Sequence, residues 1–201
     1  MPETPEVGFI TRYLFESAWI PATLLAVAAV SIAWFGVRDG VRQRLLTAVI
    51  LGGLAAVIIT TGSLVTTSGE HAARVVGQFV DDVVGGNLTG AMNAVAPDGG
   101  ISIGSPNNPR FNSDLLRDRL AWQGRKYPIE SNTVTNFDRY TIDADTGEVR
   151  LACYTEVLGA MGPTLTSWII TVERQPDGTW MIDQLTWISV NNQAAREDMM
   201  R

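Results

Sequence analysis

Two uncharged stretches, Ser17–Val37 and Leu45–Gly69, flank a seven-residue segment that holds three arginines, Arg38, Arg42 and Arg44. Each stretch reaches the length of about 20 residues that a helix needs to cross the hydrocarbon core of a bilayer. A segment surrounded by lipid must satisfy its own backbone hydrogen bonds, which leaves the helix as its fold. Short loops rich in arginine stay on the cytoplasmic side. The chain is therefore expected to cross a bacterial-type inner (plasma) membrane twice, with both termini and the main domain extracytoplasmic. The boundaries read as an arm over 1–16, a hairpin over 17–68 and an extracytoplasmic, periplasmic domain over 69–190. A polar tail over 191–201 follows. Within the hairpin the spans are 17–37 and 45–68, and Arg38, Arg42 and Arg44 orient the loop over 38–44.

Trp19 and the Trp34–Phe35 pair stand at the two ends of the first span, where amphipathic rings sit at headgroup level. Ala22, Ala26, Ala29 and Ala33 in one span, and Ala48, Gly52, Gly53, Ala55 and Ala56 in the other, form small-residue faces. Such faces let helices approach closely in lipid. They are expected to pack on each other, or to dock a neighbouring membrane subunit. Residues 1–16 are net acidic and no small-residue cleavage site follows the first span, so cleavage as a signal peptide is not expected.

Residues 69–201 hold 11 Lys/Arg and 17 Asp/Glu. An acidic domain disfavours nucleic acid, whose phosphates need a basic partner. Cys153 is the only cysteine, which rules out an intramolecular disulfide and a Cys-based zinc site. It is expected to be a small buried hydrophobe.

Ala72, Val75, Val76, Phe79, Val80 and Val83 recur at helical spacing. Gly85–Gly86 should end that helix, and Asn87 should cap a short second one over 88–95. Residues 97–100 (PDGG) read as a turn and 104–109 (GSPNNP) as a loop. A third helix, capped by Asn112 or Ser113 and closed by Gly124, carries Leu115, Leu116, Leu120 and Trp122. Four strands then follow over 133–142, 148–158, 164–174 and 179–190, joined as an antiparallel meander, with the tail polar and helical or frayed. Helices followed by a meander define an α+β class.

The stretch VVGQFVDDVVGGNLTGAMNAV (75–95), followed by Ala96-Pro97-Asp98, resembles the opening of the nuclear transport factor 2-like (SnoaL-like, cystatin-like) superfamily. Asp177-Gly178-Thr179-Trp180-Met181-Ile182 is similar to its frequent final hairpin. The resemblance implies a curved sheet wrapped around helices as a cone. It also implies a group that mixes isomerases, dehydratases, transport factors and non-enzymatic assembly modules, so fold alone does not assign function.

Catalysis in such a cone needs an acid–base pair. Asp138 and Tyr140 share a strand face, as do Tyr154 and Glu156. These four are weak catalytic candidates beside the plainer reading of solvent-facing pairs. His71 lies close to the membrane exit and is expected to be solvated. Adjacent Asp81 and Asp82 diverge on a helix and are expected on a solvated face rather than at a metal. No nucleotide-binding, zinc-protease or serine-esterase motif occurs, and no cofactor or metal is expected.

Strict alternation along residues 180–189 puts Trp180 and Ile182 on one sheet face and Leu185 and Trp187 on the other. Large apolar groups then occupy both faces, with Trp168, Leu185 and Trp187 offered to a partner. The leading expectation is a non-catalytic interaction or scaffold subunit of a membrane complex. Its partners would be other subunits, a second copy of itself in a homo-oligomer, and the bilayer. The alternative is a membrane-tethered small-molecule-binding protein, or an isomerase or dehydratase, that uses the cone cavity.

Overall fold

A computed structural model describes residues 19–64, 66–126, 128–159, 162–196 and 198. The acidic arm over 1–16, the first two residues of the hairpin, and residues 199–201 of the tail lie outside the described residues. Two compact units divide at Thr67/Ser68.

In the first unit, α1 (Trp19–Asp39) and α2 (Arg42–Leu64) form a helical hairpin. Both helices are long and apolar enough to cross a membrane. Gly40 takes the left-handed conformation (φ 67°) that turns the chain between them. Arg38, Arg42 and Arg44 are exposed around this turn, where Arg44 pairs with Asp39. Ala22, Ala29, Ala48 and Ala55 are buried where the helices meet, so these alanines serve the intra-hairpin seam. The second helix stops at Leu64. The expected end at 68 is too late, because Ser68 already begins the next helix.

In the second unit, α3 (Ser68–Val84) lays Ala72, Val76 and Phe79 on the sheet. Its first turn is tied down by Ser68, whose hydroxyl donates to the Asp143 carbonyl (2.6 Å). The Gly69 amide donates to Thr141 Oγ1 (3.2 Å). Gly86, at φ 72°, ends the helix. Asn87 then caps α4 (Leu88–Asn93), its Oδ1 accepting from the Gly90 amide (3.1 Å). Asn112 is the cap of α5 (Ser113–Lys126), accepting from the Leu115 amide (3.1 Å). This helix runs through Gly124, where a closing turn was expected.

The sheet order is β2 (Phe111–Asn112), β1 (Val95–Ile103), β6 (Trp180–Val190), β5 (Thr164–Arg174), β4 (Thr146–Val157) and β3 (Ile129–Thr141). The expected meander is formed by β3 (Ile129–Thr141), β4 (Thr146–Val157), β5 (Thr164–Arg174) and β6 (Trp180–Val190), all antiparallel. A strand that sequence patterning misses, β1 (Val95–Ile103), pairs parallel with β6 and makes the sheet mixed. The expected turn over 97–100 is an irregularity inside this strand, between the Val95 and Gly100 pairings. The edge strand β2 is only Phe111–Asn112. The tail begins as neither helix nor frayed chain. Asn191 and Asn192, both at positive φ, turn it back so that β7 (Gln193–Ala194) pairs with β6 and Ala195 is buried.

Two β-bulges in β6 decide which residues face inward. Val172 pairs with Ile182 and Thr171 with Gln184, leaving Asp183 as an extra residue. Trp168 pairs with Trp187 and Ser167 with Ser189, leaving Ile188 as another. Each extra residue shifts the side-chain alternation by one. Trp180, Ile182, Leu185, Trp187 and Val190 therefore share the concave face. The sheet that alternation made apolar on both sides is apolar on the inside. Across its back, Gln184, Thr186 and Ser102 form a polar row, closed over by the loop after β1. Gln184 Nε2 donates to Ser102 Oγ and to the Pro106 carbonyl (both 2.8 Å), and Asn108 Nδ2 donates to the Ile103 carbonyl (2.5 Å).

Candidate functional site

The concave face and the helices enclose a cavity of about 520 Å³ that opens to solvent. Its helical wall comes from Phe79, Val80, Val83 and Val84 of α3, and from Leu116, Arg119, Leu120 and Trp122 of α5. Alternate residues of the strands complete it: Leu151, Cys153 and Thr155 of β4, Thr166, Trp168 and Ile170 of β5, and Leu185 and Trp187 of β6. Trp168 and Trp187 stack across the β5–β6 pairing, ring centroids 5.9 Å apart and planes within 16°. Each indole is held by its own strand: Trp168 Nε1 donates to Thr166 Oγ1 and Trp187 Nε1 to the Ser189 carbonyl (both 3.1 Å). With their N–H groups satisfied, both indoles present an apolar body to the cavity. Trp168, Leu185 and Trp187, expected on a partner-facing surface, are thus part of the cavity wall.

Polar groups gather along one row of the wall. Asn132 of β3 pairs with Thr155 of β4, which pairs with Thr164 of β5, and all three line the cavity. Thr155 Oγ1 donates to Asn132 Oδ1 (2.8 Å). Burial pushes the Cys153 thiol up, more than the Asn132 contact lowers it, so the thiol stays protonated at neutral pH. A protonated, buried thiol is a poor nucleophile, and Cys153 serves as apolar wall.

The four weak catalytic candidates lie on the other side of the sheet. Asp138 is opposite Arg150 and Tyr140 opposite Glu148 on the convex face. There Arg150 is ion-paired to Glu148 (2.9 Å) and its guanidinium lies 5.1 Å from the Tyr140 ring centroid. Asn136 donates to Asp138 (2.9 Å). Tyr154 and Glu156 are exposed on the same convex side, with Ser131 donating to Glu156 (2.8 Å). None of the four touches the cavity. His71 is not simply solvated: its ring stacks on Trp180 at 4.8 Å, within 5° of parallel. Burial there, then the Arg74 charge, lowers its pKa, so it is neutral at neutral pH. Asp82 accepts from Gln78 and Asn87 at the α3–α4 junction, a structural role.

Arg119 is the lining residue that sequence reading passed over. It interrupts the apolar stripe of α5, three residues after Leu116 and next to Leu120, and a lone cation inside such a stripe was the available signal.

The geometry defines an α+β cone: helices packed in the hollow of a curved mixed sheet, preceded by two apolar helices. This is the cone that the resemblance to the nuclear transport factor 2-like superfamily implies. Solved structures that match it include a proposed ketosteroid isomerase from Shewanella frigidimarina, at 18% identity, covering 60% of this chain and 96% of that one (TM-score 0.49). A proposed scytalone dehydratase from Novosphingobium aromaticivorans matches at 13% identity, over 61% of this chain and 87% of that one (TM-score 0.47). A nuclear transport factor 2-like protein of unknown function from Pseudomonas putida matches at 11%, over 57% and 80% (TM-score 0.47). These are likenesses of fold. No family model and no curated protein matches the chain.

Proposed function

We propose that this protein is a membrane-tethered binding protein that takes one small, largely apolar molecule into the cone without transforming it. The carrying observation is the cavity itself: about 520 Å³, apolar-walled, and lined among the described residues by no Asp, Glu, His or Tyr. That volume suits a single drug-sized ligand. The names of the fold's solved examples speak of isomerase and dehydratase chemistry, which needs a positioned proton donor and acceptor. Here the candidate carboxylates and phenols stand on the convex face. A scaffold role drew its support from a sheet apolar on both sides, and Trp168, Leu185 and Trp187 now support the cavity instead.

The test uses the full chain in nanodiscs of zwitterionic lipid, with empty discs subtracted. N-phenyl-1-naphthylamine, an uncharged probe that fluoresces in apolar surroundings, is expected to bind saturably and to accept energy from the cavity tryptophans. Thr155→Trp, which fills the cavity from a half-buried wall position, should weaken the probe at least tenfold while leaving the melting temperature within a few degrees. Absence of saturable binding, or equal binding by the filled variant, would sink the reading.

The tether is proposed to cross an inner membrane twice, with the arginine turn inside and the domain outside. In a Cys153→Ala background, Gln43→Cys is expected to resist an impermeant thiol reagent in intact cells, and Glu130→Cys to react. The reverse pattern, or equal labelling, would overturn the orientation.

A further inference from the structure

The described lining of the cavity carries one permanent charge. Arg119 sits half-buried on the inward stripe of α5, and no carboxylate of the described residues pairs with it. Arg74 and Arg125 likewise have no carboxylate partner among the described residues, but neither lines this cavity, and most other arginines of the domain are paired. Arg110 pairs with Asp183, Arg117 with Asp114, Arg139 with Glu70, Arg150 with Glu148 and Arg174 with Asp145. Arginine stems lie along apolar surface while the head stays hydrated. The guanidinium therefore belongs at the opening of the cavity, where an occupant would strip it of water. A cation desolvated without a counter-charge is strongly disfavoured, so an uncharged occupant that covered Arg119 would bind against that cost. An acidic head would remove it.

The rest of the wall is consistent with one charged end. Phe79, Ile101, Leu151 and Ile170 offer no polar group, whereas Asn132, Thr155 and Thr164 supply neutral donors and acceptors along a single row. Resting on the binding reading above, the geometry points to an amphipathic anion as the ligand: one apolar body with a single acidic head. Arg119 holds the head and the apolar wall holds the body. A guanidinium engages carboxylate, sulfonate or phosphate oxygens through paired N–H donors, which lysine cannot reproduce. Arg119 is thus the specificity-determining residue of the cavity.

Two probes with the same aromatic body separate the head from the body. 1-Anilinonaphthalene-8-sulfonate carries the acidic group, and N-phenyl-1-naphthylamine lacks it. Both are titrated against the full chain in zwitterionic nanodiscs, with empty discs subtracted. Arg119→Gln is expected to weaken the sulfonate probe about tenfold to a hundredfold, the worth of a charge-assisted contact. The uncharged probe should bind as well or more tightly, since it no longer has to desolvate the cation, and Arg119→Lys should recover part of the sulfonate probe's loss. Equal loss of both probes would make Arg119 merely structural, and unchanged sulfonate binding would show that no anion meets it; either result overturns the inference. Should the uncharged probe bind while the sulfonate ignores Arg119, the anion assignment alone falls. Should neither probe bind, the binding reading falls with it.

Discussion

Deleting Arg150 is expected to unfold the cone domain, whereas deleting Asp183 is expected to leave it folded, although each change removes one polar residue from a strand. Asp183 is the extra residue of the first bulge in β6. Without it Ile182, Gln184 and Leu185 alternate in step with Val172, Thr171 and Ile170, so the pairing and the inward set are kept. The deletion costs the ion pair to Arg110 (2.8 Å). An exposed pair of this kind is worth about 1 kcal/mol or less. β4 has no such residue to give up, since Thr146 to Thr155 pair with β5 without a break. Without Arg150 the inward-facing Val149 and Leu151 become neighbours, the strand must slip, and a one-residue slip sends every side chain beyond it to the opposite face. If the C-terminal half moves, Leu151 and Cys153, both buried, leave the interior and Tyr154 and Glu156 turn inward. If the N-terminal half moves, Val149, fully buried, is expelled and Glu148 replaces Gly147 against α3. Each large apolar side chain lost costs about 2–5 kcal/mol, and each polar group buried without a partner costs about 1–3 kcal/mol more. Such losses are comparable with the 5–15 kcal/mol that holds a typical domain together. Near-ultraviolet circular dichroism in nanodiscs should show the tryptophan signal lost in the Arg150 deletion and kept in the Asp183 deletion. The reverse pattern, or equal spectra and melts, would show that the bulge and the unbroken register do not aim these residues.

Gly147→Ala is expected to cost about 3 kcal/mol or more, an unusually large effect for one added methyl. A Cβ at this position would overlap the Ser68 carbonyl oxygen and come within 2.7 Å of the Ala72 Cβ. The first of these is backbone, so no rotamer change relieves it. The helix cannot move away cheaply either, because Ser68 and Gly69 bond its first turn to Asp143 and Thr141. Lifting α3 would also uncover Ala72, Val76 and Phe79, all buried. Gly77 on the same helix is the matched control: a Cβ there meets nothing within 4 Å. Gly77→Ala should be neutral or stabilising by about 1 kcal/mol through helix propensity. Urea midpoints of the two variants give the comparison, and a Gly147→Ala midpoint equal to the parent's would refute the close approach of α3 to β4.

Local chemistry was legible where one residue decides a conformation. Asn87 and Asn112 as caps, Gly86 as a helix end and the turns of the meander follow from short-range sterics and hydrogen bonding, which a sequence displays directly. The missed strand β1 shows the limit. Pro97-Asp98-Gly99-Gly100 has the composition of a turn, yet it is absorbed as an irregularity because Ile101 and Ile103 find partners in Leu185 and Trp187 of β6, more than eighty positions away. The candidate site was misaimed for a related reason. Asp138, Tyr140, Tyr154 and Glu156 were rightly grouped by strand face, but period-two alternation does not say which face is concave. On β6 the inward set runs at intervals of two, three, two and three residues, and strict alternation splits that set between two faces.

By itself, the sequence determined the two apolar spans with their arginine turn, the order of the helices and of the four meander strands, and the resemblance to a cone-shaped superfamily. Each depends on periodicity or on a residue's own conformational limits. Only the tertiary structure decided that Trp168, Leu185 and Trp187 enclose a cavity, that the acidic candidates face away from it, and that Arg119 is its charged lining residue. Those facts depend on bulges and on pairing between distant strands, where one extra residue reverses a face.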